Sequence, residues 1–189
     1  ATATAVFDEP VQFVYYNNLP ALRALAVGDP LYSSTNMIPQ QAAPWPRTIT
    51  VGGLPTNNPN YKLKKVEFIE FNTPDLSDKD IWLVSPSGDT VMIVSDQFVS
   101  PDNGVGNVSI SFADDGATNF ASVAGQGITT GTYKCTNSSP NEAGEPINPS
   151  ILLSSFTGNL NGDWKFFMQD DKGAQNGNFS GGTINGIKL

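Results

Sequence analysis

Histidine is absent from these 189 residues, and Cys135 is the single cysteine. Without histidine no Ser-His-Asp triad or Cys-His pair can be assembled, and a zinc cluster lacks its usual ligands. One cysteine cannot close an internal disulfide, so stability must come from packing or from bound ions. Cys135 itself is expected to be a small buried or loop residue. Basic residues are also scarce, 10 Lys and Arg against 18 Asp and Glu, for a formal charge of -8. That balance argues against a nucleic-acid backbone or an anionic membrane surface as partner, since both need a basic patch. Lys62, Lys64 and Lys65 form the one basic cluster and are expected on a solvated strand face. No stretch approaches the ~18 to 20 apolar residues of a membrane-spanning helix.

What is present is turn chemistry. Eighteen glycines and 14 prolines, with abundant Asn, Ser and Thr, predict an all-β chain of short strands. Thr48 to Val51 opens the strand series. Tyr61 to Phe71 reads as a long alternating strand, and Ile81 to Val84 with Val91 to Val94 as a hairpin. Val108, Ile110 and Phe112 face one way from the next strand. Residues 113 to 150 read as loop-rich, and Ile151 to Phe156 leads into a terminal pair. There Trp164, Phe166 and Met168 alternate with Lys165, Phe167 and Gln169, and Ile184, Ile187 and Leu189 close the chain. Trp82 and Trp164, within apolar strands, are expected in the core. About eight strands at this spacing predict a jelly-roll-like antiparallel β-sandwich.

Four ordered segments carry a resemblance. They are Asp80-Ile-Trp-Leu-Val-Ser-Pro-Ser-Gly-Asp89 followed by Val91 to Asp96; Asn107-Val-Ser-Ile-Ser-Phe-Ala-Asp-Asp115; Gly131-Thr-Tyr-Lys134 with Phe156-Thr-Gly; and the run from Gly162-Asp-Trp through Asp170-Asp171 to Leu189. In this order they resemble the P domain, the β-sandwich module behind the protease domain of kexin- and furin-like convertases, also found alone or appended in secreted bacterial proteins. The likeness covers roughly residues 45 to 189. It cannot extend to proteolysis, because the chain has no catalytic equipment.

Acidic residues recur at predicted strand ends: Asp75, Asp78 and Asp80; Asp114 and Asp115; Asp170 and Asp171. Strand-end loops of a sandwich gather at its poles, and calcium, with six to eight oxygen ligands and tolerance of irregular loops, is the ion they suit. The P-domain resemblance implies the same, and carried over by position it makes Asp78, Asp80, Asp114, Asp115, Asp170 and Asp171 the ligand candidates. Paired carboxylates also perform glycoside hydrolysis, but nothing here selects an acid-base pair over structural aspartates. The expectation is a protein that is not an enzyme.

Residues 1 to 46 form an arm and linker ahead of the sandwich of 47 to 189, without counterpart in the P-domain pattern. Phe7, Val11, Phe13, Val14, Tyr15 and Tyr16 are strong β formers. Leu19, Leu22 and Leu25 lie in an apolar run fit for about two helical turns, and Pro39 to Pro46 punctuates the linker. Apolar surface left in water costs ~25 cal/mol per Å², so the arm must pack on its own domain or on a neighbouring subunit. The expected function is a structural subunit that assembles into a filament, shell or lattice through this arm, as a homo-oligomer or polymer. The alternative is a monomeric accessory or binding module beside a secreted enzyme. A chain beginning at Ala1 rather than methionine, low in charge, fits a processed extracellular or cell-surface protein, with a virion protein as alternative.

Overall fold

The computed structural model describes residues 14–15, 40–41, 46–54, 61–73, 76, 79–96, 105–120, 128–138, 145–170 and 184–189. Among the described residues eleven strands follow in chain order: β1 (Val14–Tyr15), β2 (Gln40–Gln41), β3 (Arg47–Val51), β4 (Val66–Thr73), β5 (Lys79–Val84), β6 (Thr90–Val94), β7 (Val105–Phe112), β8 (Thr118–Asn119), β9 (Gly131–Lys134), β10 (Gly162–Asp170) and β11 (Gly186–Lys188). They form two sheets. The first runs β1-β11-β4-β7-β9-β8; the second runs β2-β10-β5-β6, with β3 on β10 beside β2. Among the described residues there is no α-helix, and the chain is an all-β sandwich.

The two inner faces share one core. Ile49 and Val51 of β3, Ile81 and Leu83 of β5, and Trp164, Phe166 and Met168 of β10 meet Val66, Phe68 and Phe71 of β4 and Ile110 and Phe112 of β7. Phe68 and Phe166 touch edge to face across the sheets at 5.6 Å between centroids, a geometry that suits the ring quadrupoles. Buried apolar residues on alternate positions are what hold each strand to this layer. Asn161 links the exit of β3 to the start of β10, its Nδ2 donating to Leu54 O at 2.8 Å and its Oδ1 accepting from Leu54 N at 2.9 Å.

The predicted hairpin is present. β5 and β6 pair antiparallel around Ser85 to Asp89, where Ser85 N donates to Asp89 O and Gly88 N to Ser85 O. Gly88 sits at φ 95, which glycine adopts without steric cost. Other expectations are corrected. Tyr61 to Lys65 is not in a strand, and the ladder begins at Val66. The loop-rich 113 to 150 region contains β9, which runs parallel to β7 and to β8, so the antiparallel pattern is broken on that flank. Residues 153–155 form a 3-10 turn. The terminal strands β10 and β11 are not a hairpin: they belong to different sheets.

Candidate functional site

Of the six acidic candidates, the side chains of Asp80, Asp114 and Asp115 are described, and each has its own surroundings. Asp114 follows β7 and accepts from the backbone N–H groups of Leu153 (2.7 Å) and Ser154 (2.9 Å). Both carboxylate oxygens thus cap the 3-10 turn, satisfying donors with no partner inside so short an element. Asp115, next in the chain, points to solvent and pairs with Lys64. The hydrogen bond from the Lys64 ammonium, followed by its charge, holds the Asp115 carboxyl below the usual carboxylate range.

Asp80 lies in the second sheet and is fully buried. It stands across from Gln169, whose Nε2 donates to Asp80 Oδ2 at 3.3 Å, while Asp170 stands across from Lys79. Lys79, Ser95 and Gln169 are also fully buried, and Asp96 N donates to Lys79 O. This end of the second sheet is therefore a buried polar layer. Asp75, Asp78 and Asp171 lie outside the described residues. Among the described residues no three acidic or cysteine side chains gather around one point.

Trp164 and Cys135 are both buried. Trp164 is a core residue, its Nε1 donating to Leu160 O at 2.9 Å. Cys135 is buried, and burial first, then the nearby Asp114 charge, pushes its thiol up to about 12; such a thiol is inert. A shallow cleft of ≈ 270 Å³ is lined by Tyr61, Lys62, Leu63, Lys64, Asp114, Asp115 and Ser154, but its two carboxylates are taken up by the turn and by Lys64.

The arm is the other expected site, and two short pieces of it are described. Val14 and Tyr15 pair antiparallel with Lys188 and Ile187 at the outer edge of β11. Gln40 and Gln41 pair with Asp170 and Gln169 of β10. Phe7, Val11, Phe13, Tyr16, Leu19, Leu22 and Leu25 lie outside the described residues. Sequence reasoning set residues 1 to 46 apart as an arm and left open whether it packs on its own domain; β1 and β2 add to one sheet each. Val14 and Tyr15, as strong β formers, carried the one usable signal; Gln40-Gln41 carried none.

Comparison with protein-family models, curated proteins and solved structures finds no match to this chain.

Proposed function

We propose that the protein is a non-enzymatic structural subunit of an extracellular or virion surface assembly, joined to its neighbours by the N-terminal arm. One observation carries the reading: the arm contributes its strands to sheet edges in two-residue ladders, β1 on β11 and β2 on β10. Main-chain pairing at a sheet edge is equally available to the same segment of a second copy, and exchange of an identical element between protomers is a low-cost route to oligomers. A contact made by the arm of one copy to the edge of the next is heterologous, so it propagates into a ring or fibre. The likeness to P domains supports a non-catalytic module. Calcium, in this reading, serves stability at the Asp80 and Asp170 end.

A second reading is favoured by the same ladders taken within one chain. There the arm completes its own sandwich, and the protein is a monomeric accessory module. Negative-stain microscopy with light scattering on the intact chain and on one lacking residues 1 to 46 separates the two. Ordered polymers or rings that vanish on truncation support the subunit. Two monomeric samples remove it.

A further inference from the structure

The large apolar side chains that stand exposed among the described residues all fall within 147–152: Ile147, Ile151 and Leu152, at 82%, 45% and 51% exposure. Single exposed aliphatic residues are ordinary on a protein surface, but three gathered in one short segment form a patch, and such patches mark contact sites. The segment cannot fold its patch inward. Ser150 is fixed to β6, its carbonyl accepting from Met92 N at 2.8 Å and its N–H donating to Thr90 O at 3.1 Å. Leu153 is buried in the core, and its N–H and that of Ser154 are held by Asp114. Between these anchors Leu152 N donates to Ser150 Oγ, and Leu152 O accepts from Ser155 Oγ and Ser155 N. The patch is thus presented on a backbone already ordered, which lowers the entropic cost of docking.

Two features of the same surface point to what meets the patch. Leu152 leads into the 3-10 turn, and Ser154 of that turn, with Asp114, lines the ≈ 270 Å³ cleft whose apolar lining is Tyr61 and Leu63. A projecting aliphatic group therefore stands beside an apolar hollow. A two-fold rotation that sets such a surface against its own copy fills both hollows at once, the self-complementarity of an isologous contact. Charge agrees. Copies of a chain with formal charge -8 repel one another. At the cleft, Lys62 and Lys64 offset Asp114 and Asp115, so this surface opposes a second copy less than the chain as a whole does.

We propose that Ile147, Ile151 and Leu152 form a self-association surface, on which a second copy of this chain docks about a two-fold axis, each copy's Leu152 seated in the other's Tyr61 and Leu63 cleft. The contact uses no part of the N-terminal arm and does not rest on the proposed subunit function. It closes on itself, whereas a contact through the arm propagates, so the two together would join arm-linked copies side by side.

The test uses full-length chains carrying one introduced cysteine each, Lys62→Cys or Ile151→Cys, both at exposed positions, with the buried Cys135 left in place. Mixed and oxidised with diamide, they are expected to form a disulfide between position 62 of one chain and 151 of the other about tenfold faster than Ile151→Cys mixed with Thr132→Cys, because docking raises the local thiol concentration. Thr132 is exposed on β9 and serves as the undocked reference. Ile147→Asp in both chains is expected to remove that advantage and to lower the dimer fraction in sedimentation velocity, with Tm unchanged for so exposed a residue. A 62 to 151 rate no greater than the reference, or one that Ile147→Asp leaves unaltered, overturns the two-fold contact and leaves the patch to a different protein or to a neighbour's arm. Rapid 62 to 151 cross-linking in a sample free of polymers supports the pairing while counting against the arm-linked assembly.

Discussion

Gly116 follows the Asp114–Asp115 turn and lies against the backbone of β9. A Cβ added there would meet the Tyr133 carbonyl carbon, with the Tyr133 oxygen at 2.5 Å and Lys134 N at 2.8 Å. Both partners are main chain, so no rotamer change relieves the contact. The obstruction falls where β9 pairs in parallel with β7 and β8 and where Ala113 N donates to Tyr133 O at 2.9 Å. Overpacking costs about 1–3 kcal/mol, and a backbone obstruction belongs at the upper end, ~3 kcal/mol. For a domain of this size that is a fall in Tm of roughly 6–12 °C. Gly106→Ala is the control, since nothing lies within 4 Å of its added Cβ and its lowered unfolded-state entropy predicts a gain of ~0.4–1 kcal/mol. Urea unfolding of both variants, with unchanged m, gives the comparison. A Gly116→Ala midpoint within ~0.5 kcal/mol of Gly106→Ala would refute the close approach of β9 to this turn.

Asp114→Ala is expected to cost ~1–2 kcal/mol in the same assay, because two backbone N–H groups lose their acceptor; Asp114→Asn, which keeps one acceptor oxygen, should cost about half as much. With the Cys135 thiol raised to about 12, native protein at pH 8 holds roughly 10⁻⁴ of it as thiolate and should resist Ellman's reagent until unfolded. The unfolded thiol titrates near ~8.5, so its contribution to stability is fully present below that pH and declines by about 1.4 kcal/mol per pH unit up to 12. Cys135→Ala should flatten that alkaline slope; an unaltered slope would disprove the thiol's part in it. Calcium restored to EDTA-treated protein is expected to raise Tm in the unaltered chain and in Asp115→Asn, and not in Asp80→Asn. Equal Tm in EDTA and calcium for the unaltered chain would end the calcium proposal.

Period-2 alternation made most strands legible, because it reports which side chains share a face. Ile110 with Phe112, and Trp164 with Phe166 and Met168, are buried as that alternation predicts. Ser85-Pro-Ser-Gly88 marked its hairpin through a glycine at positive φ, a local requirement written in one residue. Alternation says nothing about which sheet a strand joins. β10 and β11 are neighbours in sequence and lie in opposite layers, and β9 is parallel to its partners although nothing in Gly131-Thr-Tyr-Lys134 distinguishes parallel from antiparallel pairing. The partners of the acidic residues were not legible either. Asp114 and Asp115 are adjacent in sequence, but one caps the turn at Leu153 and the other meets Lys64. Adjacency at a turn therefore did not reveal that the two carboxylates have different partners.

Trp82 shows how alternation and burial together exceed either alone. It is opposite in phase to Ile81 and Leu83 of the core cluster, so it lies on the other face of its strand, yet it is 4% exposed and stacks on Phe167 across the strands. The sequence expectation that Trp82 is buried is therefore met, and alternation adds that it is buried on the face turned away from the shared core.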